Sequence, residues 1–170
     1  KTMTRERRSL VFELPSIGSE IELRGSQAHH ILHVLRLRPG DAISLFDGHG
    51  RSVRAVVVSC SSHAAKVRLT EAESARESSF RISVAVAVPK GDKMSSVVRT
   101  ATELGVHRLI PLVSDRTILG ETKKLIPRMA RWRRTAEEAC KLAGRARLPE
   151  LAEPSTFDEL VLQPGPTLRF

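Results

Sequence analysis

The sequence has 170 residues and a mass of 18.8 kDa, enough for one ordinary domain or two small ones. Hydrophobic residues at 41% and charged residues at 28% exclude a disordered or fibrous chain, and 4% aromatics leave the core to Val, Leu, Ile and Ala. Twenty-eight Lys and Arg against nineteen Asp and Glu give a formal charge of +9, which points to a polyanionic partner, although basic charge also serves solubility.

No apolar stretch approaches the roughly 20 residues of a membrane span, and the longest, 82–88, is of strand length. The polar start, residues 1–8, lacks the pattern of a secretory leader, so a cytoplasmic location without a membrane is expected. A start at Lys1 rather than at an initiator Met is expected of an incomplete gene product. Cys60 and Cys140 are too few for a disulfide framework.

In chain order, residues 11–14 and 21–23 are short strand candidates. Ser26 is a suitable N-cap for a helix over 27–35, with Ala28, Ile31, Leu32 and Leu35 on one face and His29, His30 and His33 on another. Pro39-Gly40-Asp41 ends it. Residues 42–46 and 52–59 read as strands around the hairpin loop Asp47-Gly48-His49-Gly50, and 66–69 as another strand. Closely spaced strands with turn signals predict a small barrel or sandwich, which makes residues 1–72 a first domain.

The polar stretch 71–79 reads as a linker, and the pattern then changes. Residues 81–88 (RISVAVAV) predict a strand buried on both faces of a parallel sheet. Pro89-Lys90-Gly91-Asp92 breaks it; Met94, Val97, Val98, Ala101 and Leu104 recur at helical spacing, and Gly105 suits a helix C′ position. With a second apolar strand at 107–113, this is a βαβ unit, and such units need parallel strands. Pro127 suits the first turn of a helix over 128–143, which would bury Met129, Trp132, Ala136, Ala139, Cys140 and Ala143. A short helix is expected at 157–162 and the opening of a strand at 167–170, so residues 80–170 read as the beginning of a second, α/β domain.

Four segments carry a resemblance: AHHILHVLRLRPGD (28–41), PKGDKMSSVVRTATELGV (89–106), PLVSDRT (111–117) and RWRRTAEEACKLAGRARLPE (131–150). In order and spacing they resemble the RsmE family of ribosomal RNA methyltransferases, which belong to the SPOUT class. The resemblance implies a PUA-like β-barrel followed by a SPOUT-type parallel α/β domain. It further implies methylation of N3 of a specific uridine in the decoding region of 16S rRNA, S-adenosylmethionine as methyl donor, the small ribosomal subunit as partner, and a homodimer. The family's Gln-Ser pair is replaced here by Leu142-Ala143. Its Ile-Gly-Pro-Glu-Gly-Gly loop and later Arg-Ile-Leu-Arg segment fall beyond Phe170. By the resemblance, these carry the trefoil knot and most of the cofactor pocket, so the cofactor-binding residues are expected outside this sequence, and the fragment alone is expected to be inactive.

Methyl transfer to N3 needs an aligned nucleophile, removal of the N3 proton, and a cation or proton acceptor for the anionic base. Glu103 and Arg116 are the catalytic candidates. Glu103 stands four residues after Arg99, so an i,i+4 ion pair is the competing reading. Arg116 follows a strand end, where α/β sheets place functional groups, or is a solvated loop cation. For RNA the candidates are His29, His30, Arg36 and Arg38; Lys90, Lys93 and Arg99; and Arg131, Arg134 and Arg145 on the basic face of the last long helix. No metal is expected, because His29 and His33 lack a third ligand nearby. No nucleophile elbow occurs, and Cys140 belongs to the apolar stripe. Two rivals stand: a non-catalytic RNA-binding or ribosome-assembly factor, and a SPOUT methyltransferase acting on tRNA.

Overall fold

The computed structural model describes residues 7–75, 77–114 and 122–162, the first three residues of the last segment as backbone only. The chain divides into two compact units, residues 1–77 with 140–148, and residues 78–139 with 149–170. Among the described residues, no helix is long and apolar enough to cross a membrane.

The first unit is built on a five-stranded sheet of order β1-β3-β4-β5-β2, comprising β1 (Arg8–Leu10), β2 (Glu20–Arg24), β3 (Ala42–Phe46), β4 (Ser52–Cys60) and β5 (Ala64–Glu73). All pairings are antiparallel except β1 with β3. The alternation of β3 to β5 explains the core: Ile43, Leu45, Val53, Ala55, Val57, Ala65, Val67 and Leu69 collect with Leu23 and Ile31. Leu10, Phe46, Cys140 and Ala146 form a second apolar cluster in the same unit.

Three local expectations are corrected here. The first strand is Arg8–Leu10 rather than 11–14. Arg8 is buried because its Nη2 donates to the Arg145 carbonyl (3.2 Å) and the guanidinium lies 5.3 Å from the centre of the Phe46 ring. Ser26 is not an N-cap: α1 (Gly25–His29) begins one residue before it, then widens into a π-helical stretch, His30–Val34. That stretch is followed by Arg36 at φ 54°, a left-handed conformation that costs a non-glycine residue about 1–2 kcal/mol. The polar stretch 71–79 is not all linker, since β5 runs to Glu73, whose carboxylate accepts hydrogen bonds from the Ser44 and Ser52 hydroxyls (2.9 and 3.0 Å).

The second unit holds a parallel sheet of β6 (Ser83–Ala87), β7 (Arg108–Val113) and β8 (Glu150–Leu151), with β9 (Ser155–Thr156) also paired to β7. β6 and β7 are parallel in the register Ser83↔Arg108 to Ala87↔Leu112, and α2 (Lys93–Glu103) crosses between them. Gly105 adopts φ 92° just past the helix, as its C′ position requires. α2 contributes Met94 and Val98 to a core with Leu109 and with Leu125, Met129, Trp132 and Ala136 of α3 (Thr122–Ala143). β6 departs from the doubly buried expectation: it is the edge of the described sheet, its side chains alternating exposed and half-buried. Leu104 departs as well, 78% exposed beyond the last helical residue. α3 starts at Thr122, so Pro127 sits inside the helix rather than at its first turn. α4 (Phe157–Leu162) opens on a capping box: the Glu159 N–H donates to Thr156 Oγ1 (3.2 Å), and the Thr156 N–H donates to Glu159 Oε2 (2.7 Å). The strand expected at 167–170 lies outside the described residues.

Candidate nucleic-acid interface

In the second unit, the parallel strands point their carboxyl ends toward the Pro89-Lys90-Gly91-Asp92 turn, which Gly91 closes at φ 71°. Lys90 and Lys93 are exposed there. Asp92 is the N-cap of α2 but makes no cap bond with its side chain; its Oδ1 instead accepts from Arg131 Nη1 of α3 at 2.8 Å. That contact fixes the basic face of α3 at the same end of the sheet as the two lysines. Arg134, one turn further along α3, is exposed, and Arg133 lies 3.9 Å from Glu153. β7 ends in the same direction at Val113; Arg116, three residues on, lies outside the described residues.

Glu103 closes α2 and therefore lies at the opposite, amino end of the strands. An eleven-residue helix is about 16 Å long and the six residues of β7 span about 20 Å, so the topology holds Glu103 far from the strand ends that lead to Arg116. Among the described residues Glu103 and Arg99 have no ion-pair partner, so the i,i+4 bridge is not formed. Arg99, mid-helix and exposed, lies between the two ends.

In the first unit, His29 and His33 are exposed with ring centroids 5.0 Å apart, and His30 is half-buried. Arg36 and Arg38 are exposed. The Arg38 N–H donates to Asp41 Oδ2 at 2.8 Å and holds the Asp41 carboxyl below its ordinary value, with Arg7 at 3.3 Å adding to the effect. Partial desolvation, aided by the Asp41 charge, pushes the pKa of the exposed Cys60 thiol up.

Arg145 is the residue whose placement differs most from expectation. Gly144, at φ 72°, ends α3 and turns the chain, so the helical spacing that put Arg145 on the basic face stops applying. Arg145 is 4% exposed, and its Nη2 donates to Glu77 Oε2 at 3.1 Å. Glu77 Oε1 accepts the N–H groups of Ala146 and Arg147, both at 2.8 Å. Arg147, which the sequence does not single out, is half-buried, with its guanidinium beside Gly50 of the Asp47-Gly48-His49-Gly50 loop. The only signal for it is the glycine pair in that loop.

A family model described as the RNA methyltransferase domain matches residues 76–169, more than half of the chain, and one described as the RNA methyltransferase PUA domain matches residues 23–70. The chain belongs to the RNA methyltransferase domain family. A member of this kind from Synechocystis sp., "Ribosomal RNA small subunit methyltransferase E", is 32% identical over 145 residues, which are 85% of this chain and 46% of that protein. Among solved structures, a ribosomal RNA small subunit methyltransferase E from Neisseria gonorrhoeae bound to S-adenosylmethionine superposes with a TM-score of 0.85 at 29% identity, covering 95% of this chain and 67% of that one. A putative methyltransferase from Legionella pneumophila, also bound to the cofactor, gives 0.88 at 28% identity, covering 98% and 70%. The chain spans about half the length of the curated relatives it matches. These likenesses join a PUA-like unit to a parallel α/β unit, as the sequence predicts.

The described residues of this family member do not by themselves make a site for S-adenosylmethionine. At the carboxyl end of the sheet Val86, Val88 and Val113 pack onto the core, and the Val88 N–H is spent on the carbonyl of Leu112 at 2.9 Å. An adenine ring or a carboxylate needs apolar space and unspent donors, and these residues offer it neither.

Proposed function

We propose that the protein containing this chain is a cytoplasmic, homodimeric methyltransferase that modifies N3 of a uridine in the decoding region of 16S rRNA, with S-adenosylmethionine as donor. The observation that carries this reading is the parallel βαβ unit whose carboxyl end gathers Lys90, Lys93 and, through the 2.8 Å contact with Asp92, Arg131. The names of the relatives and the bound donor in two structural neighbours support it. The donor supplies an electrophilic methyl group. This chain's own part is to hold the RNA: a phosphate at the basic strand ends is drawn by Coulomb attraction and releases counterions. His29, His30, Arg36 and Arg38 serve RNA on the first unit, and Arg99 and Arg134 extend the basic surface of the second. Arg145, buried and paired with Glu77, is left out of the proposed surface.

Arg116, three residues after β7 in sequence, is the candidate for stabilising the anionic base. Glu103 of the same chain stands at the amino end of the sheet, so a role as proton acceptor requires delivery from a second copy. The test is incorporation of labelled methyl groups by the full-length protein into small-subunit particles that lack the modification, with the product mapped by mass spectrometry. N3-methyluridine in 16S rRNA is the expected product. RNA binding without incorporation favours an assembly factor, and incorporation into tRNA instead replaces the substrate.

A further inference from the structure

The geometry points to Arg147 as an RNA-phosphate contact preset by the Gly48-His49-Gly50 loop. This rests on RNA being the substrate, as proposed above, and assigns a binding residue on the first unit.

The backbone of Arg147 is held from four directions. Its N–H donates to Glu77 Oε1 at 2.8 Å, and its carbonyl accepts from Cys140 Sγ at 3.4 Å. On either side, the Leu148 N–H donates to the Gly48 carbonyl (2.9 Å) and the Gly50 N–H to the Ala146 carbonyl (3.1 Å). The side chain is then seated by glycine: a Cβ on Gly50, which adopts φ 114°, would lie 2.8 Å from Arg147 Nη2. The guanidinium thus occupies the space that any other residue at position 50 would fill.

Charge accounting separates Arg147 from Arg145. Glu77 accepts from Arg145 Nη2 and from the two backbone N–H groups. Asp47 Oδ1 is taken by the N–H groups of His49 and Arg51, at 2.7 and 3.1 Å. Among the described residues no carboxylate forms an ion pair with the Arg147 guanidinium. A half-buried, preoriented cation without a counter-charge has already lost part of its hydration and side-chain entropy. An incoming phosphate that accepts two of its N–H groups recovers the first without repeating the second. The loop suits such an approach at Gly50, which follows the exposed His49 and has no side chain of its own. Nearby Arg51 spends its N–H groups on the neutral carbonyls of Leu14 and Pro15, so its charge remains.

The test uses the full-length protein on unmethylated small-subunit particles, comparing wild type with Arg147→Gln and Arg147→Lys. Loss of one phosphate contact is expected to raise KM about tenfold with kcat unchanged, and to lower the salt slope of binding by about 1, with partial rescue by Lys. The melting temperature is expected to stay at the wild-type value, because the bonds that fix this segment come from its backbone. An active enzyme whose KM and salt slope ignore Arg147→Gln overturns the inference and leaves the proposed function standing. So does a loss that appears only with a fall in melting temperature, which makes the guanidinium a structural clamp. Wild-type protein that neither binds nor methylates the particles sinks both.

Discussion

Glu77 and Arg145, 68 positions apart in sequence, meet at 3.1 Å with side chains 20% and 5% exposed. The same carboxylate caps the N–H groups of Ala146 and Arg147, so one residue after β5 anchors the segment after α3 within the first unit. Removing Glu77 takes away a counter-charge held 3.1 Å from a buried guanidinium. Glu77→Ala is therefore expected to cost about 3–5 kcal/mol of unfolding free energy. Glu77→Gln, which keeps an acceptor but not the charge, is expected to cost less. Urea unfolding of the three proteins measures it; a Glu77→Ala loss below about 1 kcal/mol would refute the anchoring role.

Asp92 and Arg131 make the opposite kind of pair. At 77% and 59% exposure their 2.8 Å contact contributes only about 0–1 kcal/mol, so Arg131→Ala leaves the melting curve nearly unchanged. If the strand ends hold RNA, the same substitution weakens binding at every RNA sequence and lowers the salt slope by about 1. Asp92→Asn releases Arg131 from its counter-charge and is expected to tighten binding. Filter binding at several salt concentrations distinguishes these outcomes; an unchanged affinity in both variants removes Arg131 from the interface.

Much of this arrangement is legible in the sequence because it follows from periodicity. The run 82–88, the helical recurrence of Met94 and Val98, and Gly105 jointly specify a crossover, and parallel pairing follows from chain connectivity. What is not legible depends on partners far away in sequence. Arg8 reads as a surface cation, yet it is buried by Arg145 and Phe46. Arg145 continues the helical spacing on paper, and one left-handed glycine turns it inward. Glu77 looks like part of a polar linker because its three donors lie about seventy residues ahead. Glu103 reads as a catalytic candidate by residue type, and only the direction of the strands puts it at the amino end of the sheet.

The Arg38–Asp41 turn sets a pH dependence. Its carboxyl is held below the ordinary 3.8, first by the Arg38 N–H and then by the charge of Arg7. A depressed folded-state value means that the unfolded chain binds the proton more readily. The stabilisation is therefore present above about pH 3.8 and is lost as the pH falls through the lower, folded value. In Asp41→Asn this contribution is absent throughout, so its stability is expected to fall less steeply than the wild type's on acidification. Unfolding curves taken between about pH 5 and pH 2 check the slope, and parallel profiles would exclude Asp41 as its source.

Trp132 is the single tryptophan, 3% exposed in the core that α3 shares with Met94, Val98 and Leu109. Trp132→Ala is expected to cost about 3–5 kcal/mol, whereas Trp132→Phe keeps most of the volume and costs less. The wild-type fluorescence shift reports unfolding of this unit directly. A Trp132→Ala protein as stable as wild type would mean that the cavity collapses without loss, contrary to close packing around the crossover.

The separation of Glu103 from the strand ends leads to a kinetic prediction. A cation that stabilises an anionic base acts mainly in the transition state, so Arg116→Ala is expected to lower kcat by about 10²–10³ with KM little changed. A Glu103 confined to its own chain cannot reach that chemistry. On that geometry Glu103→Gln changes kcat by less than tenfold, or about 1.4 kcal/mol. A loss comparable to that of Arg116→Ala would point to delivery of Glu103 across a dimer interface. Mixed dimers decide it: a Glu103→Gln chain combined with an Arg116→Ala chain recovers activity at one of its two sites if the residues act in trans. The same mixture recovers none if both must come from one chain, and that result would overturn delivery in trans.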